Sequence, residues 1–136
     1  MAEKQITIAV IAALEADTTL MATATDVYLG VAPPTATYPF VIVNRLPRPD
    51  QRTFQGRVLD NEYTVRVVDQ SGSAVRAENL ALRIDTVLES QTLSITGYNQ
   101  VGSIKRLVPL HYHEVVGDER YWHVGGTYRV VVVPSS

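Results

Sequence analysis

Three histidines near the carboxyl end are the residues whose type and spacing best suit chemistry. His111 and His113 are two positions apart, so on a strand they share one face, and His123 falls on the next predicted strand. Imidazole nitrogens are common ligands of zinc and other transition metals. The alternative is a cross-strand polar cluster near Glu114 and Glu119. We favour that cluster and expect no metal site, because this spacing is common by chance.

Other catalytic patterns are missing from the sequence. It has no Gly-X-Ser-X-Gly elbow, no phosphate-binding glycine loop and no metalloprotease helix. It also has no cysteine, so disulfides and thiolate metal sites are excluded. We therefore expect a protein that is not an enzyme and needs no cofactor.

Length and charge set further bounds. The 136 residues suit a single domain over 1–136, and twelve basic against fourteen acidic residues give no general attraction to nucleic acid or membrane. The apolar run at 8–14 is flanked by Glu3 and Glu15 and is too short to span a bilayer. These features predict a soluble intracellular domain with no membrane partner.

Two helices are predicted from apolar residues that recur every three to four positions. The second covers residues 74–89 and has one apolar stripe opposite a charged face. The first covers 3–21 and is apolar on two sides, because Ile8 and Ile11 lie away from the stripe that contains Val10. The second apolar side contacts either another subunit or the domain's own loops, and both readings stay open.

Strands are predicted where apolar and polar residues alternate or β-branched residues cluster. They cover residues 27–29, 40–45, 59–69, 92–95, 103–113 and 120–133. Pro39 marks a strand entrance, Pro109 predicts an edge strand or a bulge, and Gly125-Gly126 predicts a β-bulge. A turn is expected at 97–99, and a polar hairpin loop around Gly117-Asp118 is expected over 114–119. The predicted fold class is α+β and two-layer, with an antiparallel or mixed β-sheet and two helices packed on one face.

Arginines mark the polar connection at residues 46–57. They are Arg45, Arg48, Arg52 and Arg57. They form either an assembly contact or a solvated hairpin tip kept soluble by its charge. Sequence-specific DNA binding is not expected, because no nucleic-acid reading motif accompanies them. Tyr128 is predicted in the core, whereas Trp122 is assigned to either the core or an interface.

Several short patterns follow one another along nearly the whole chain. They are Ala13-Leu14-Glu15-Ala16-Asp17, Val27-Tyr28-Leu29-Gly30-Val31-Ala32-Pro33, Tyr38-Pro39-Phe40-Val41, Val67-Val68-Asp69 before a Ser-Gly-Ser turn, and Tyr121-Trp122-His123 followed by Thr127-Tyr128-Arg129. In this order and at this length, the chain resembles the tail completion (tail terminator) proteins of long-tailed phages.

The resemblance implies a structural role in the virion. Such proteins are made in the host cytoplasm and form a ring, usually of six copies, on the head-proximal end of the tail tube. The ring stops tube elongation and joins the tail to the head connector, and genome DNA passes through its lumen without sequence-specific binding. The implied partners are further copies of the chain, the tail tube protein and the connector protein.

Two other functions are weighed against this one. Another neck component, either a head-closure protein or a connector adapter, would have a similar size and also form a ring. A small metal-dependent enzyme would use His111, His113 and His123. The candidate assembly residues are Arg45, Arg48, Arg52, Arg57, Ile8, Ile11 and Trp122.

Overall fold

A computed structural model describes residues 2–46, 51–53 and 56–135. Its elements in chain order are α1 (Ala2–Glu15), α2 (Thr18–Met21), β1 (Val27–Leu29), β2 (Phe40–Leu46), β3 (Gln51–Thr53), β4 (Gly56–Gln70), α3 (Val75–Leu88), β5 (Tyr98–Gln100), β6 (Lys105–Val116) and β7 (Glu119–Pro134). The fold is α+β, as the sequence predicts. The described residues contain three helices rather than two.

The sheet is mixed and is built around three long antiparallel strands, β4, β7 and β6. Its order is β1-β2-β4-β7, with β6 and β5 both pairing along the far side of β7 and β3 pairing with β4. β1 runs parallel to β2, whereas the other pairings are antiparallel. The alternation predicted for β4 is confirmed, because Tyr63, Val65 and Val67 are fully buried.

Alternate strand residues divide the apolar side chains into two clusters. The larger cluster joins α1 and α3 residues such as Val10 and Ile84 to strand residues such as Val65 and Tyr128. Tyr128 is thus in the core as predicted, and its hydroxyl donates to Asp85 Oδ1 at 3.0 Å. A smaller cluster consists of Phe40, Ile42 and Val68 and is lined by Tyr28 and Tyr38.

The prediction of one helix over 3–21 is wrong, because the chain turns at Asp17. That carboxylate caps α2 by accepting from the Leu20 amide at 2.9 Å. It also accepts two hydrogen bonds from Arg83 of α3, at 2.8 and 2.6 Å. These contacts, led by Arg83, hold the pKa of Asp17 below its ordinary value. The break is therefore fixed by a contact between distant parts of the chain, which helical periodicity does not reveal.

The α3 prediction is confirmed with small changes at its ends. Ala77, Leu80, Ile84 and Leu88 form its buried stripe. Its first turn is linked to the sheet by Arg76, which donates to both oxygens of the buried Asp69 at 2.8 and 2.6 Å. The amphipathic pattern alone was sufficient here because this helix buries a single side.

Between α3 and β6 the sequence places a strand and a turn in the wrong order. The strand predicted at 92–95 is reduced to one isolated bridge between Ile95 and Tyr98. The turn expected at 97–99 is instead largely occupied by β5, which pairs with the end of β7. Pairing with a strand more than thirty residues away supplies the order that the local sequence does not specify.

The polar connection at 46–57 also contains more strand than predicted. β3 pairs with the start of β4 through Arg52↔Arg57, so β4 begins before residue 59. Residues 47–50 and 54–55 lie outside the described part of the chain.

The hairpin predicted around Gly117-Asp118 is confirmed, but the loop predicted over 114–119 is too wide, because both strands continue into it. β6 and β7 pair as far as Val116↔Glu119, which leaves Gly117-Asp118 as a two-residue turn. Within the described residues β6 pairs only with β7, so it is the edge strand that Pro109 predicts.

The bulge predicted at Gly125-Gly126 is also wrong. Both glycines stay in register with β4 and β6, and the irregularity in pairing lies between Arg106 and Val108. Gly125 instead permits close approach of two backbones. A Cβ at Gly125 would overlap the carbonyl oxygen of Val65 and lie 2.7 Å from Cα of Arg66.

Candidate assembly interface

An apolar groove lies between the outer side of α1 and the ends of β1 and β2. Its lining includes Lys4, Ile8, Ile11, Ala12, Leu29 and Arg45, and its volume is about 630 Å³. We call it the α1 groove. Ile8 is 50% exposed and Leu29 is 57% exposed, so large apolar side chains face solvent here. An exposed apolar surface bordered by charge is typical of a protein–protein contact.

The sequence of α1 explains why this groove exists. Ile6, Val10 and Leu14 lie on the side that packs into the core. Ile8 lies on the outer side, while Ile11 sits at the border and is half-buried. The domain's own loops leave Ile8 half exposed, which favours the reading that the second apolar side contacts another subunit.

Leu29 completes the groove from the sheet. β1 is a three-residue strand in which Val27 is buried and Leu29 is exposed on the same face. Parallel pairing of Leu29 with Val43 brings it beside α1. Sequence reasoning missed this residue because its partner strand could not be assigned from local pattern.

The predicted interface residues do not all meet. The structure brings Ile8, Ile11 and Arg45 together in the α1 groove. Arg48 lies outside the described residues, as do the side chains of Arg52 and Arg57. Their role as assembly contacts stays a prediction.

Trp122 lies on β7, well away from this groove in the strand order. It is half-buried against the larger core cluster, and its Nε1 donates to the carbonyl oxygen of Ser71 at 3.0 Å. The rings of His111 and His113 lie 5.8 and 4.9 Å from it, centroid to centroid. These contacts within the domain cover part of the Trp122 side chain.

The three histidines do not converge on a common point. His113 pairs in register with Trp122, whereas His123 pairs with Tyr112, so His123 lies on the opposite face from His111 and His113. His111 Nε2 lies 2.9 Å from Glu78 Oε1 of α3, and no group of metal-ligating side chains is found among the described residues. The structure therefore gives no support to a zinc site of these histidines.

His123 belongs to a polar cluster of another kind. Its ring stacks on Tyr112 at 4.6 Å, its Nε2 lies 2.6 Å from Glu114 Oε1, and its Nδ1 accepts from Arg66 Nε at 3.3 Å. Burial and the positive charge of Arg66 lower the pKa of His123, and Glu114 opposes them only in part. This is the cross-strand cluster that the sequence favours, although it contains only one of the three histidines.

A pH dependence of stability follows from His123. Its pKa is lower in the folded state than the ordinary value of 6.5, so the unfolded chain takes up the proton first. We expect the melting temperature to fall as pH is lowered from about 7.5 to about 5.5, and to fall less in His123→Gln. Differential scanning fluorimetry across this range is the measurement. An equal fall in both proteins would show that His123 does not contribute.

The β6–β7 hairpin tip is a surface that the sequence reasoning missed. Val115 and Val116 are exposed immediately before the Gly117-Asp118 turn. The signal was present, because two adjacent β-branched residues before Gly-Asp are typical of a strand that runs into a tight turn. The polar hairpin loop predicted over 114–119 is too wide, so it includes both valines.

Comparison with known proteins identifies the family. The family model of tail completion protein gp17 matches residues 8–132, which is nearly the whole chain. The chain belongs to this family. A search of curated protein sequences gives no significant match. Tail completion proteins are structural components of virions, so the chain is a virion protein of tail assembly.

The fold of this tail completion protein also matches a solved structure. A chain described as part of the virion of a native gene transfer agent particle superposes with a TM-score of 0.75. The two are 20% identical, and the match covers 96% of each chain. In the part of the chain that the structure describes, no helix has the length and apolar character needed to cross a membrane.

Proposed function

We propose that this tail completion protein is a tail terminator, which forms a closed ring on the head-proximal end of the tail tube. The family match over residues 8–132 carries the proposal. The solved neighbour with the same fold is part of a virion particle, which agrees with it. Six copies is the ring size that resemblance to long-tailed phage terminators implies. A closed ring needs an interface that joins unlike surfaces of neighbouring copies.

The proposed mechanism is geometric. One side of the ring docks on the last layer of tube subunits, while the other offers no surface for a further layer and receives the head connector instead. No reaction is involved, and no cofactor is required. Genome DNA passes through the lumen without sequence-specific contacts. Arg48, Arg52 and Arg57 contribute either positive charge to the lumen or a contact with the tube.

We propose that the chain acts as one domain over 1–136 with two layers. Residues of α1 and α3 share the larger core cluster with one set of alternate strand residues, which supports both helices lying on a single face. The outer side of α1 and the sheet edge formed by β6 are then available to neighbouring copies.

Deleting the gene from the genome that encodes the phage or particle tests this function. Without a terminator, nothing stops subunit addition, so electron microscopy should show tails of uncontrolled length and no joined heads. Complementation with the wild-type gene should restore uniform tails. Tails of normal length beside unjoined heads would contradict the proposal and indicate a head-closure or adapter protein.

A further inference from the structure

Two exposed valines end strand β6 just before the turn of the β6–β7 hairpin, and as neighbours on a strand they lie on opposite faces of the hairpin. Val115 and Val116 are 59% and 62% exposed. Gly117 has a φ of 62°, the left-handed conformation that two-residue hairpin turns require. A turn this short gives the valines little freedom, so little conformational entropy is lost when they are bound.

The chemistry of this tip complements the α1 groove. Exposed valines suit a groove whose walls include Ile8 and Leu29, because burying both sets removes apolar surface from water. Lys4, Arg45 and Glu15 line the groove, two positive charges against one negative, and Asp118 places a carboxylate beside the valines in the turn. Apolar contact therefore supplies most of the attraction, and the surplus positive charge of the groove favours an acidic turn residue over a basic one.

Their positions also suit contact between copies. The α1 groove lies beside β1, at one edge of the sheet, whereas the hairpin includes β6, at the opposite edge. In a two-fold dimer both contacts would form between the same two copies. Surfaces at opposite edges instead allow each copy to give its tip to one neighbour and receive a tip from the other.

We propose that the tip formed by Val115, Val116, Gly117 and Asp118 of one copy occupies the α1 groove of a second copy. This inference rests on the proposed ring and names the contact that closes it. The bound partner is thus another copy of this chain, rather than the tube protein or the connector.

Cysteine cross-linking tests the contact cleanly, because the chain has no cysteine of its own. Ile8→Cys and Val116→Cys are prepared as two separate proteins and as one double variant. After mild oxidation, the mixed single variants should give a covalent dimer, and the double variant a ladder that ends at the ring size. Leu82→Cys, at an exposed position on α3, replaces Ile8→Cys in the matched control and should not cross-link.

Native mass spectrometry and electron microscopy of the same samples, alone and on tail tubes, distinguish failure of the proposed hairpin contact from failure of the proposed terminator function. Rings without cross-links at Val116→Cys, and at Val115→Cys prepared in the same way, would overturn the hairpin contact and leave the terminator function standing. Cross-linking of Ile8→Cys with itself would also overturn it, since that requires like surfaces to meet. The absence of any ring, alone or on tubes, would overturn the proposed function as well.

Discussion

Gly125→Ala is expected to destabilise the protein by about 3 kcal/mol or more, because the added methyl group has no space. It would overlap the carbonyl oxygen of Val65 and approach Cα of Arg66 to 2.7 Å. Both atoms belong to the backbone of β4 at the centre of the sheet, so neither can move aside like a side chain. Strands β4 and β7 would have to separate locally, and this weakens the hydrogen bonds between them.

Thermal or urea unfolding of purified variants measures this effect. For a chain of this length, the loss corresponds to a fall in melting temperature of roughly 10 °C. Gly126→Ala is the graded control, since the nearest atom to its Cβ would be the side-chain Nε of Arg106 at 3.0 Å. Gly72→Ala is the neutral control, because no atom lies within 4 Å of its Cβ position. Equal stability of Gly125→Ala and Gly72→Ala would show that the strands approach less closely.

Local sequence pattern predicts those elements that bury one side against the core. The alternation around Tyr63, Val65 and Val67 and the stripe of Ala77 and Ile84 each identify an element and its buried face. Both patterns depend only on how often the backbone returns a side chain to the same face and on which face meets water. They predict the α+β class without knowledge of which strands pair.

Strand pairing, in contrast, decides where the histidines and glycines lie. A turn at Gly117-Asp118 puts His123 opposite Tyr112 rather than His113, and a shift of one residue would reverse its face. A loop over 114–119 does not fix this register, so the spacing of the histidines alone leaves a shared site as an alternative. Gly125 likewise indicated an unusual backbone, but only the paired strand shows that its cause is close approach rather than a bulge.

The α1 groove illustrates how far the candidate site could be predicted. Helical period identified Ile8 and Ile11 as a second apolar side, and the structure leaves Ile8 exposed. The charge of Arg45 makes it a candidate, and its place beside these residues follows from the fold. Leu29 required the parallel pairing of β1 with β2, which is not a local property, whereas the valines before Gly117-Asp118 carry a local signal.

Ile8→Glu is expected to abolish ring assembly while leaving the fold intact. Ile8 is already half exposed, so the monomer tolerates the change with a melting temperature within about 3 °C of wild type. In an assembled groove, however, the carboxylate would replace an apolar contact with Val115 and Val116 of the second copy and lie beside the like charge of its Asp118, at a cost of several kcal/mol. Each 1.4 kcal/mol lowers an association constant about tenfold, so the contact weakens by at least about a hundredfold.

Complementation of the deletion strain provides the decisive measurement, with native mass spectrometry of the purified variant beside it. We expect Ile8→Glu to yield monomers, tails of uncontrolled length and no joined heads. Leu82→Glu is the matched control, because Leu82 is 65% exposed on α3 and lies outside the groove. It should assemble normally, which separates a local effect of the groove from a general effect of added charge. Normal rings from Ile8→Glu would exclude the α1 groove as an assembly surface, whereas loss of folding would show that Ile8 belongs to the core.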